Sequence, residues 1–247
     1  VLAGQLGIIG SATSPDSSTQ SSSQSTDKAD GGHSSNGSGT DNANGTGGVG
    51  GTDGADGDNQ DTVTDNPLKI VESGWSADQQ GYVHYAFALR NTSKTQQVQY
   101  PQITITGRAK DGSIVFSQTQ ALNMAFPNQT VYDAGQAGEG TAPETVDFTV
   151  LNPDTYNVAK AQGTAAFPIS GTSKIDNRDG GTTFNGEVRA VADGFKPSDG
   201  QQIKISLVLR NAQNAIIYGD IAFVDWPGNG RSTPFSITVY DLPKYVS

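Results

Sequence analysis

The sequence predicts an all-β protein, two tandem small antiparallel β-sandwiches preceded by a disordered linker. Three observations lead there. From residue 67 onward, apolar residues alternate with polar ones in short runs broken by Gly, Asn, Asp and Pro, the period of strands buried on one face. That pattern occurs twice, about a hundred residues apart. Residues 11–66, by contrast, offer almost nothing apolar to bury.

The opening run, residues 1–10, is apolar or small and carries no charged side chain. Spanning a bilayer takes about 20 apolar residues. The run is therefore read as the outer end of a membrane anchor or signal segment, against the blander reading of a frayed peptide. Gln5 stands where a lipoprotein processing site would need Cys, which removes lipidation for the chain as written.

Residues 11–66 hold no aromatic residue, Leu, Ile or Met, and only Val49 and Val63 are sizeable apolar side chains. Ordering backbone costs roughly 1–2 kcal/mol per residue, which such a composition cannot offset. The segment is predicted to be a disordered Ser/Gly/Asp-rich linker. It carries nine Asp and one base, Lys28, and so −8 of the chain's net −10. Its 56 residues would reach about 190 Å fully extended and about 40 Å as a coil. The closely spaced Asp56, Asp58, Asp61 and Asp65 invite a calcium reading. The run lacks the Gly at position 6 and the Glu at position 12 of an EF-hand loop, so an acidic linker is the better reading.

The remaining chain is near neutral, with no basic stripe, so no nucleic-acid partner is expected. Cysteine is absent, which excludes disulfides and thiolate chemistry. In residues 67–158, the first predicted sandwich, Val83, Tyr85, Phe87 and Leu89 share one strand face. Asn91-Thr92-Ser93 turns the chain, Ile103 and Ile105 alternate, Asp111-Gly112 makes a tight turn, and Ile114-Val115-Phe116 and Val146, Phe148 and Val150 follow. Residues 159–183 read as a connector interrupted by Phe167-Pro168-Ile169, and residues 184–247 as the second sandwich.

An ungapped offset of 102 places Phe184 on Tyr82, Val191 on Leu89, Ile205 on Ile103, Arg210 on Arg108 and Ile216-Ile217-Tyr218 on Ile114-Val115-Phe116. It also places Asn214 on Gly112, and Asn is the next best residue where φ must be positive. The offset then shortens to 100 at Phe126-Pro127 and Trp226-Pro227, and to 89 where Val150 meets Val239 and Tyr156 meets Tyr245. This alignment locates about eleven extra residues of the first copy in a Gly-rich loop, residues 133–143.

The run from Tyr85 through Asn91-Thr92-Ser93, then Val98, Pro101 and Ile103-Thr104-Ile105, Asp111-Gly112-Ser113-Ile114-Val115 and Pro127-Asn128-Gln129-Thr130 resembles an FxLYD-type domain. The resemblance implies a small extracellular Ig-like β-sandwich of bacterial surface proteins, with no catalytic residue to carry over. It covers about residues 80–150 and, more weakly, 184–240. Asn128 departs from the family's turn Gly, and the second copy lacks the Asn-Thr-Ser and Asp-Gly turns.

Candidate chemistry is sparse. His33 falls in the linker, and His84 on the strand face opposite the core, where a solvent-facing role is expected rather than a metal ligand or base. A paired-carboxylate glycosidase would have to use Glu72, Asp78, Glu144 or Asp147, acids that read as exposed strand-edge groups. Among aromatics, Trp75, Tyr100, Tyr132 and Trp226 could build a stacking platform. Trp226 reads as a core or corner residue and Trp75 as the better surface candidate. Exposed sheet edges offer strand addition as a second binding route.

These readings converge on a non-catalytic binding or structural module displayed outside a bacterial-type cell, with no cofactor and no metal. Its partner would be a protein or cell-wall glycan, with membrane contact only through residues 1–10. The alternative is a carbohydrate-binding or sensory extracellular region of a larger membrane protein.

Overall fold

The computed structural model describes residues 2–7, 65–197 and 200–245. Apart from Asp65 and Asn66, the predicted linker lies outside them, as do His33 and the Asp56–Asp61 carboxylates. Asn66 belongs to the fold. Its side-chain amide donates to the Leu151 carbonyl at 3.1 Å, and its Oδ1 accepts from the Leu68 amide at 2.9 Å.

The described chain is all β. Strand β1 is Leu2–Gly7. The first sandwich follows with β2 (Leu68–Ala77), β3 (Val83–Asn91), β4 (Gln96–Gln99), β5 (Gln102–Arg108), β6 (Ile114–Ala121), β7 (Met124–Ala125), β8 (Thr130–Ala137), β9 (Thr145–Val150) and β10 (Val158–Lys160). The second holds β11 (Thr164–Ala166), β12 (Ile169–Asp176), β13 (Thr182–Arg189), β14 (Val191–Asp193), β15 (Gln202–Arg210), β16 (Ile216–Asp225) and β17 (Ser232–Val239). All strand ladders are antiparallel.

In the first sandwich, sheet β2-β3-β8 faces sheet β6-β5-β9. Val83, Tyr85, Phe87 and Leu89 of β3 are fully buried against Ile103 and Ile105 of β5, Val131 of β8 and Phe148 of β9, the face that their alternation requires. The second sandwich pairs sheet β12-β13-β17 with sheet β1-β15-β16. Its core joins Ile203, Ile205, Leu207 and Leu209 to Phe184, Val188, Phe235 and Ile237. Strands one, two and five of each copy lie in one sheet and strands three and four in the other, an Ig-like order.

The duplication is real, but its registers differ from the ungapped alignment. Ile70 pairs with Leu89 and Leu89 with Val131; Ile169 pairs with Val188 and Val188 with Thr233. The first two strands are therefore related by 99 residues, not 102. Phe184 matches Tyr85 rather than Tyr82, and Leu89 matches Val188 rather than Val191. An odd shift exchanges the two faces of a strand, and burial follows the corrected register. Tyr85 and Val188 are buried, whereas Tyr82 and Val191 are exposed.

The offset of 102 holds from β5 onward. Both hairpins carry a bulge at the same place, between Gly107 and Arg108 and between Leu209 and Arg210. Their turns share one hydrogen-bond pattern, with the Gly112 amide donating to Ala109 and the Asn214 amide to Asn211, each at 2.9 Å. Gly112 has φ +84° and Asn214 φ +64°, the left-handed conformation expected of both. Holding another L-residue there costs about 1–2 kcal/mol. Asn214→Ala is therefore expected to destabilise by about 1 kcal/mol, with Asn214→Gly close to neutral, as read from urea midpoints.

The same offset continues through β8 and β17. Asn91 donates to the Gln129 carbonyl as Ala190 does to that of Arg231, both at 2.9 Å. The shortened offsets of 100 and 89 are thus overturned, and with them the extra loop at residues 133–143. Its first residues belong to β8, which pairs with β3 along its whole length. Ala134, Gly135 and Ala137 read as loop because they are small. Gly135 is small because a Cβ there would lie 2.8 Å from the Tyr85 hydroxyl.

Residues 159–183, expected as a connector, carry β11, β12 and the start of β13. Phe167 and Ala165 are buried in the second core. Phe167-Pro168-Ile169 leads into this sandwich's first strand as Leu68 and Ile70 begin β2.

Among the described residues, one strand of the first sandwich has no later counterpart. β9 lies beside β5, with Val150 opposite Ile103 and Phe148 opposite Ile105. The equivalent positions of β15, Ile205 and Leu207, face Gly4 and Leu2 of β1. The segment read as the end of an anchor takes the place of the missing strand.

Candidate functional site

Three of the polar side chains nominated from the sequence, Glu72, His84 and Tyr132, lie where the two sandwiches touch. Sheet β2-β3-β8 turns its outer face to sheet β1-β15-β16, and β16 packs across β2, β3 and β8. The contact is lined by small groups. Ala86, Ala134, Val208 and Ile216 form a buried cluster, and Ala88 is fully buried beside them. Glycines let the backbones approach closely. A Cβ on Gly74 would lie 1.8 Å from the Ile216 carbonyl oxygen, and one on Gly219 2.1 Å from that of Tyr85. Phe126 reaches from the first sandwich into the second core, edge-on to Phe195 at 5.7 Å.

Around this apolar patch sit two ion pairs. Glu72 of β2 receives both Arg210 guanidinium nitrogens at 2.6 Å. Tyr132 donates to Glu72 Oε1 at 3.0 Å, and Arg210 also donates to the Asn214 carbonyl at 2.8 Å. Lys204 of β15 pairs with Asp133 of β8, both buried. Such two-point guanidinium contacts fix direction as well as distance.

Arg210 first, and the Tyr132 hydroxyl after it, hold the Glu72 carboxyl below its ordinary 4.5 against the opposing effect of burial. A lowered folded-state pKa contributes stability above the unfolded value and loses it as pH falls through the folded one. Denaturation midpoints are therefore expected to fall as pH drops below about 4.5, and Glu72→Gln should flatten that slope.

His84 stands elsewhere than expected. Its ring stacks on Tyr218 at 4.7 Å, and its Nε2 lies 3.4 Å from both Asp78 Oδ2 and the Gln136 amide nitrogen. The face opposite the first core is covered by the second sandwich, so this histidine is largely enclosed rather than solvent-facing. Asp78 also accepts from the amides of Gln80 and Tyr82 at 2.9 Å, closing the β2–β3 turn.

The four candidate acids do not converge. Glu72 pairs with Arg210, Asp78 with His84 and Asp147 with Arg108, while Glu144 is exposed before β9. Each pair has its own base and its own place, unlike a carboxylate dyad across one substrate bond. Among the described residues no group of three His, Cys, Asp or Glu is arranged to hold a metal ion.

The aromatics also disperse. Trp75, expected at the surface, packs against the first core because its strand face turns inward there. Trp226 packs edge-on to Phe167 at 5.9 Å, as its corner reading implied. Tyr132 belongs to the ion-pair cluster, and Tyr100 remains exposed in a left-handed turn, φ +49°.

Sequence reading missed Asp133, Lys204, Gly74 and Gly219. Lys204 and Arg210 sit on the polar phase of an alternating strand, which normally faces water. Arg108 and Arg210 occupy equivalent positions and both bind a turn carbonyl, but Arg108 is open to solvent while Arg210 is enclosed. No family model, no curated protein and no solved structure matches the chain.

Proposed function

We propose that this chain is a non-catalytic binding or structural module, displayed outside a bacterial-type cell, whose two sandwiches act as a single body. The observation that supports this reading is the use made of its reactive side chains. Glu72, His84, Tyr132, Lys204 and Arg210 bond to protein groups around the inter-sandwich contact. Groups held this way fix orientation, as buried ion pairs do at docked surfaces. The resemblance to FxLYD-type domains and the acidic Ser/Gly/Asp-rich composition of residues 11–66 support an extracellular, tethered placement.

Two measurements test it. Antibodies against the full chain should label intact source cells, and a hydrolase panel with a glycan array should give no turnover. Labelling only after lysis would refute the display, and turnover of any glycan would refute the non-catalytic reading.

A further inference from the structure

We propose that the β15 edge of the second sandwich is a strand-acceptor site, and that at high local concentration a second copy of this chain fills it with its own Leu2–Gly7 segment. The first sandwich builds its six-strand pair of sheets from contiguous chain, with β9 beside β5. The second reaches β17 with no strand after it among the described residues. Its sixth position is occupied by β1, which pairs from Leu2–Leu207 through Gly7–Gln202. Without that segment, one side of β15 would present an open row of backbone donors and acceptors above the buried Ile203, Ile205 and Leu207, the template on which strands add.

The connection does not dictate whose segment fills the site. Sixty residues, 8–67, separate β1 from β2. Pairing within one copy and pairing between copies would make the same ladder, so exchange costs no contact. What differs is concentration. A tether of this length sets an effective concentration on the order of 1 mM or below. Dilute chains therefore fill their own site, and copies crowded toward that density exchange segments. This inference concerns assembly and stands apart from the display reading.

The absence of cysteine makes the test direct. Ala3 lies opposite Ser206, and Ser206 is fully buried, so only a chain seated on the β15 edge brings a thiol to it. Full-length Ala3→Cys and Ser206→Cys chains would be mixed, unfolded and refolded together toward millimolar concentration under mild oxidation. Leu6→Cys with Ser206→Cys serves as the off-register control, since Leu6 is the ladder partner of Ile203. The expected result is a disulfide-linked heterodimer at least tenfold above the control. The double variant in one chain should close internally at micromolar concentration.

Internal closure with no heterodimer above the control would overturn exchange between copies. Failure of both would overturn the acceptor site itself. A second in-register pair, Gly4→Cys with Ile205→Cys, repeats the experiment should Ser206→Cys disturb folding.

Discussion

Lys204→Met is expected to lower stability by about 3–5 kcal/mol, the usual cost of removing one member of a buried ion pair. Lys204 and Asp133 are both buried, Asp133 completely, and they come from different sandwiches. Methionine keeps most of the length and the apolar stem of lysine and removes the ammonium group, so packing loss is a small part of the effect. Adding Asp133→Asn to Lys204→Met should recover at least half of the loss, giving a coupling of more than 1 kcal/mol in a double-mutant cycle. Urea unfolding of the four proteins measures it. Additive effects would show that the pair does not hold the sandwiches together.

The second large effect comes from a single methyl group. Gly219→Ala places a Cβ 2.1 Å from the Tyr85 carbonyl oxygen and 2.8 Å from the Ala134 Cβ. Gly74→Ala meets the Ile216 carbonyl at 1.8 Å. Backbone cannot yield as the end of a side chain can, so either change forces the sheets apart and breaks the ion pairs beside them. A loss of about 3 kcal/mol or more is expected, at or above the upper range of ordinary overpacking. Apart from Phe126, which reaches into the second core, each core is built within its own sandwich, so calorimetry should resolve two unfolding transitions in place of one. A single transition within about 1 kcal/mol of the parent would refute the close contact.

How much of this was legible follows from what alternation records. A large apolar residue every second position announces a buried face, and Val83, Tyr85, Phe87 and Leu89 are buried as their spacing requires. Turn chemistry was equally direct at Gly112 and Asn214. The inter-sandwich contact left no such signature. Beside Val208 and Ile216 it is built of Gly74, Ala86, Ala134 and Gly219, which carry little apolar surface, and of charged residues whose strand positions resemble a solvent face. Registers failed for a related reason. Matching by residue type put Val191 on Leu89, whereas the ladder hydrogen bonds choose Val188, which the core buries. The position of β1 could not be read at all, since a pairing partner two hundred residues away leaves no local periodicity.

That distance has a kinetic consequence. Leu2 pairs with Leu207, so on a ribosome adding about 5–20 residues each second the segment emerges some 10–40 s before its acceptor exists. The first sandwich can complete itself from its own pairings in the interval. The last event of folding is then the return of the earliest made of the described strands, a step governed by loop closure. Where polysomes crowd nascent chains toward the effective concentration of the connection, neighbouring chains would supply that returning strand as well as its own.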